Sequence, residues 1–171
     1  MEKGYVHVYT GNGKGKSTAA FGLAVRAACA DKNVYVGQFV KDMKYSETAI
    51  SGVLPHIVIE QLGRGCFISK DPEQPDIDAA TEAMAKCAEI LSSGTYDVVV
   101  LDEINIAIYY GLIDVNEVAG AIKNRAPHVE VVLTGRYAKP EILELADLVT
   151  EMTEIKHYYK QGVLSRKGID C

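Results

Sequence analysis

The sequence predicts an α/β fold built on a mostly parallel sheet with helices on both faces. Three observations carry that expectation. Short runs rich in Val and Ile alternate along the 171 residues with segments of helical period, the pattern of strand-helix-strand crossovers. Several of those runs are apolar at consecutive positions, as strands buried on both faces require. The first run leads through "TGNGKGKST", Thr10 to Thr18, straight into the helix-forming segment "AAFGLAVRAA".

The elements follow in order. "YVHVY", Tyr5 to Tyr9, reads as the first strand, and Ser17 to Ala30 as the helix after the glycine-rich turn. "NVYVGQFV", Asn33 to Val40, and "HIVIEQL", His56 to Leu62, read as the second and third strands. "GRGCFISK" has no clear period and "DPEQPD" carries two of the five prolines, so Gly63 to Asp76 is expected to be a long loop, of the kind that is usually functional. Helical period returns at Ile77 to Leu91 and again at Val115 to Asn124. The fourth strand is "DVVVLD", Asp97 to Asp102, and the fifth "VEVVLTG", Val129 to Gly135, with Pro127 and Pro140 placed where helices stop or start. The length fits one domain spanning 1–171, since single cores are usual at roughly 100 to 200 residues.

Composition narrows the function classes. Eighteen Lys plus Arg against twenty-three Asp plus Glu leave a net charge of −5, which excludes the broad basic surface of non-specific nucleic-acid binders. At 48% hydrophobic and 24% charged, the chain has the makeup of a folded domain rather than a disordered one. No stretch approaches the roughly 18 apolar residues of a membrane span, and the first apolar run is too short for a signal peptide. Cys29, Cys66, Cys87 and Cys171 lack the spacing of a zinc site or a small disulfide framework. The expectation is a soluble cytoplasmic protein with free thiols and no nucleic-acid or membrane partner.

The chemistry is concentrated in the glycine-rich turn. Glycines let successive backbone N–H groups turn inward around an anion, and a helix N-terminus adds partial positive charge. Gly11, Asn12, Gly13, Lys14 and Gly15 form the turn; Lys16 can reach phosphate oxygens, and Ser17, followed by Thr18, offers a hydroxyl to a divalent cation. The usual phosphate-loop pattern has a glycine where this chain has Thr10. Lys14 reads equally as a phosphate ligand or a solvated charge. Downstream, "YDVVVLDE" runs four apolar residues into Asp102 and Glu103 at a strand's C-terminal end, where parallel sheets place their ligands. Such an acidic pair is in isolation as easily a solvated turn. Paired with Ser17, it points to magnesium and a nucleoside triphosphate.

Read together, "YTGNGKGKSTAAFGLAVRA", "VGQFVK", "LGRG", "YDVVVLDEIN", "VVLTGR", "ELADLVTEM" and "IKHYYKQGVLSRKGID" resemble, in order and spacing, the ATP:corrinoid adenosyltransferases of the cobalamin-synthesis type. The resemblance covers nearly the whole chain and includes Thr at the first loop position. It implies a RecA-like P-loop fold, a homodimer, ATP and a corrinoid as substrates, magnesium or manganese as cofactor, and a reduced flavoprotein that supplies electrons to bring cobalt to cobalt(I). It places Asn12 to Thr18 on the phosphate loop and Glu103 as the magnesium-linked carboxylate; with the reading of the residues, Thr10 to Thr18 are expected to hold the triphosphate, Lys16, Ser17 and Glu103 to serve catalysis, and Ser17, Asp102 and Glu103 to hold the metal. Arg136 is placed against nucleotide or corrinoid, with a structural ion pair as the alternative, whereas Arg26 reads as a structural pair. Lys156 and His157 fall in a tail that closes over the site, although His157 by itself reads as a packed or surface histidine. Relatives carry "GRGFTW" after the third strand; here Cys66, Phe67 and Ile68 stand there, and the chain has no Trp. Cys66, Phe67 and Ile68 are expected at the corrinoid site, with Phe67 and Ile68 as contacts to its lower face and Cys66 as packing rather than a redox group.

Two other functions remain open from sequence. A P-loop kinase or ATPase would act on the terminal phosphate and release ADP or phosphate. A non-catalytic ATP-binding switch would bind nucleotide with negligible turnover.

Overall fold

The computed structural model describes residues 3–40, 46–63 and 72–170. Six strands, β1 (Val6–Thr10), β2 (Val34–Gln38), β3 (Ile57–Gln61), β4 (Val98–Asp102), β5 (Glu130–Thr134) and β6 (Leu148–Glu151), form one sheet in the order β3-β2-β4-β5-β1-β6. Every neighbouring pair runs parallel. The helices are α1 (Lys16–Ala28), α2 (Gln74–Ser93), α3 (Ile104–Tyr109), α4 (Val115–Lys123) and α5 (Pro140–Leu145).

The consecutive apolar positions do what a doubly covered sheet requires. In β4, Val98 and Val100 face α1, where they meet Ala20, Phe21, Ala24 and Ala28. Val99 and Leu101 point the other way, into a larger core with Met84, Cys87 and Leu91 of α2, Ile104 and Ile108 of α3, Val118 and Ile122 of α4, and Ile142 of α5. The alanines of α1 let its axis lie close to the sheet. That brings the helix N-terminus over the end of β1.

Two expectations are corrected. The stretch Gly63 to Asp76 is not a loop to its end: α2 begins at Gln74. Glu73 and Asp76 form a reciprocal capping box and Pro75 lies in the first turn, so Glu73 to Asp76 are a helix start. The sheet also gains β6, which sequence periodicity did not mark. All four of its residues are exposed at the sheet edge, so nothing forces a buried pattern on them. β6 is held by its pairing with β1 and by the Asp147 carboxylate, which accepts the Val6 N–H at 2.9 Å.

Candidate functional site

The C-terminal ends of the strands bring the glycine-rich turn and the acidic strand end together. β5 lies between β1 and β4, so Thr134 and Gly135 separate the two. The turn between β1 and α1 is braced from the far side by Met152, which follows β6: its N–H donates to the Thr10 carbonyl at 2.9 Å, and its carbonyl accepts the Gly13 N–H at 2.6 Å. A Cβ on Gly13 would stand 2.7 Å from that carbonyl oxygen, which is why the turn needs glycine there. Thr10, standing where phosphate loops carry glycine, uses its hydroxyl to accept the Ala138 N–H at 3.4 Å.

Lys16 opens α1 and is 8% exposed. Its ammonium donates to the Gly13 carbonyl at 2.8 Å, folding back along the turn. Burial lowers its pKa below the ordinary lysine value; Glu103 opposes that shift, Arg136 adds to it and Asp102 opposes it. These charges therefore share one electrostatic neighbourhood. A cleft of about 450 Å³ is lined by Lys14, Gly15, Lys16, Ser17, Thr18 and Phe21, by Ser46 and Glu47, by Glu103, and by Gly168, Ile169 and Asp170.

Glu103 and Asp102 are placed differently. Glu103 is the N-cap of α3 with φ of 62°, a left-handed conformation uncommon outside glycine and characteristic of functional turns. It reaches the cleft. Asp102 is fully buried behind it, accepting from the Thr134 hydroxyl at 2.7 Å and from Gln38 Nε2 at 3.2 Å. Thr134 Oγ1 in turn accepts the Glu103 N–H at 2.9 Å. Gly135 is tight against the same residue, since a Cβ there would lie 3.2 Å from Glu103 Oε2.

The donor set suits a hard divalent cation. Ser17 and Glu103 both line the cleft with oxygen, and magnesium is commonly held by one or two protein oxygens, substrate phosphates and water. Among the described residues no group of three or more His, Cys, Asp or Glu is placed to hold a metal by itself.

Other expected residues fall nearby or elsewhere. Asn12 and Arg136 line a neighbouring cleft of about 520 Å³ with Tyr137, Glu151, Thr153, Glu154 and Lys160. His157 caps the short 3₁₀ turn Tyr158–Gln161, its Nδ1 accepting the Tyr159 N–H at 3.1 Å. Cys66, Phe67 and Ile68 lie outside the described residues. Sequence reasoning missed Gln38, Thr134 and Asn105, all buried and polar; the C-terminal tail expected over the site lines the cleft through Gly168, Ile169 and Asp170. The signal for the first two was present: each is the polar residue that ends an apolar strand run.

Comparison with known proteins agrees with this geometry. A solved KaiC-like protein from Pyrococcus horikoshii superposes with a TM-score of 0.52, at 16% identity, over 98% of this chain and 76% of that one, which supports the RecA-like P-loop fold. A corrinoid adenosyltransferase of Pseudomonas aeruginosa is 38% identical over 171 residues, covering 99% of this chain and 84% of that protein. The corrinoid adenosyltransferase CobA of Salmonella typhimurium is 36% identical over 170 residues, covering 99% and 86%. The family model described as ATP:corrinoid adenosyltransferase BtuR/CobO/CobP matches residues 2–171, and the chain belongs to that family.

Proposed function

We propose that this protein transfers the 5′-deoxyadenosyl group of ATP to the cobalt(I) of a corrinoid, such as cobalamin, cobinamide or cobyrinic acid diamide, and releases triphosphate. The observation that carries the reading is the cleft in which the glycine-rich turn, Ser17 and Glu103 converge, in a chain of this family. The cobalt(I) electron pair forms the cobalt–carbon bond to C5′. The C5′–oxygen bond breaks, its electrons leave with triphosphate, and cobalt becomes formally cobalt(III).

The chain's task is then to hold a leaving group. Lys16 and the N–H groups at the start of α1 face the charge that grows on the departing triphosphate, the kind of preorganised stabilisation worth most in a site screened from water. Ser17 and Glu103 would hold magnesium or manganese together with phosphate oxygens, and the cation would neutralise part of that charge. Asp102, through Thr134, sets the backbone from which Glu103 projects. No protein nucleophile or general base is required, because cobalt(I) is the nucleophile. Positioning of the two substrates in line supplies the remainder.

The reading includes a reduced flavoprotein as the source of cobalt(I), a homodimer as the working form and the cytoplasm as the location. No described helix is long and apolar enough to cross a membrane. The test is an anaerobic reaction of the protein with magnesium-ATP and chemically reduced cobalamin, following the corrinoid spectrum and the phosphate products together. A light-sensitive alkylcorrinoid with one triphosphate per turnover is expected. ADP and phosphate accumulating without a spectral change would put a kinase or ATPase in its place, and tight ATP binding without turnover would leave a binding switch.

A further inference from the structure

Lys14 and Asp170 stand 156 positions apart, yet the Lys14 ammonium donates to Asp170 Oδ1 at 2.7 Å. The same carboxylate accepts from the Tyr158 hydroxyl, from the Arg166 N–H at 3.1 Å and from Arg166 Nε at 3.2 Å. The Arg166 guanidinium lies over the Tyr158 ring, 4.8 Å from its centroid. The end of the chain is thus a closed knot with Asp170 at its centre and one outside partner, the lysine of the glycine-rich turn.

An exposed lysine–carboxylate pair ordinarily contributes little. This pair differs in two ways. The Asp170 side chain is only 12% exposed, and four donors from three residues converge on it. Lys14 first, then Tyr158 and Arg166, hold its carboxyl well below the usual carboxylate range. Lys14 lines the 450 Å³ cleft, and so do Gly168, Ile169 and Asp170. An ammonium has three N–H donors; among the described residues Asp170 takes one, and the proposal assigns the others to oxygens inside the cleft.

We propose that Asp170 is a positioning residue for nucleotide binding: it fastens the Lys14 ammonium at the mouth of the cleft, so that the glycine-rich turn and the C-terminal segment grip the triphosphate from opposite sides. The proposal rests on the reading of this cleft as the ATP site. It makes Lys14 a phosphate ligand whose placement comes from the far end of the chain.

Calorimetric titration of magnesium-ATP into the full-length protein tests it with Lys14→Met, Asp170→Asn, the double variant and Asp170→Glu. Each single substitution is expected to weaken ATP roughly three- to tenfold, with KM for ATP rising and kcat nearly held. The double variant is expected to be no weaker than Lys14→Met alone, and Asp170→Glu to recover most of the loss. Single costs that multiply in the double variant would mean independent action and overturn the proposal. So would an unchanged or tightened affinity in Asp170→Asn, or a lowered melting temperature with an unmoved KM. A second measurement needs no variant: magnesium-ATP should slow tryptic cleavage after Arg166 and Lys167 in the wild-type chain. Calorimetric binding without that protection sinks the positioning role alone, whereas wild-type protein that binds no ATP removes the reading of the cleft itself.

Discussion

The Thr134 hydroxyl stands between two neighbouring residues of another strand end, donating to Asp102 Oδ1 at 2.7 Å and accepting the Glu103 N–H at 2.9 Å. One oxygen therefore locks the end of β5 to the end of β4 and carries the buried carboxylate's orientation to the residue that faces the cleft. Thr134→Val keeps the shape and removes both bonds. Stability is expected to fall by about 1 to 3 kcal/mol, the cost of stranding buried polar groups, with a loss of turnover beyond the loss of fold. Urea denaturation and single-turnover kinetics on the same samples separate the two.

Glu103→Gln keeps the volume and removes the charge at the cleft. ATP affinity measured without divalent cation should hold or improve, because a carboxylate near phosphate is repulsive. The magnesium-dependent gain in affinity should fall by about tenfold or more. A magnesium titration that matches wild type would exclude Glu103 from the metal's surroundings.

Lys16→Met is expected to lower ATP affinity by about a hundredfold, the scale of truncating a buried charged partner. Its effect on folding has the opposite sense at high pH. The folded-state pKa lies below the unfolded one, so between the two the unfolded chain binds more protons and stability rises with pH, reaching its full value near the unfolded value of about 10.5. Melting temperatures of wild type and variant, taken from neutral pH to about 10.5, should therefore move in favour of the wild type as pH rises. A parallel pair of curves would show that Lys16 is not held in a desolvated place.

Gly135 has φ of 125°, and a Cβ there would approach Asn105 Cβ to 3.0 Å and Glu103 Oε2 to 3.2 Å. Gly135→Ala combines backbone strain with pressure on the cleft's carboxylate. A loss of about 1 to 3 kcal/mol is expected, together with weaker magnesium dependence. Wild-type magnesium dependence in a destabilised variant would show that Glu103 does not depend on this contact.

Cys87 is fully buried, and burial, with the nearby Glu60 carboxylate, pushes its thiol up to about 12. Cys29 is exposed. Iodoacetamide at neutral pH should label the Cys29 peptide in the native protein and the Cys87 peptide only after unfolding, since the thiolate is the reactive form. Peptide mapping by mass spectrometry reads both, and native labelling of Cys87 would reveal opening of α2 from the sheet.

What could be read from sequence was local. The period of Val98 to Leu101 announced a doubly buried strand, the run from Thr10 to Thr18 announced an anion-binding turn, and the position of Glu103 at a strand end announced a partner for it. Each signal lies within a few residues, because strand alternation, helix period and glycine's freedom are properties of neighbouring backbone units. The tertiary structure alone decided the strand order that puts β5 between β1 and β4, and with it the link from Asp102 through Thr134 to Glu103. It alone decided that four exposed residues, Leu148 to Glu151, become a sixth strand, and that Lys14 finds Asp170 across the length of the chain. These pairings join segments far apart in sequence, and what selects them is the burial and hydrogen bonding available only once the sheet exists.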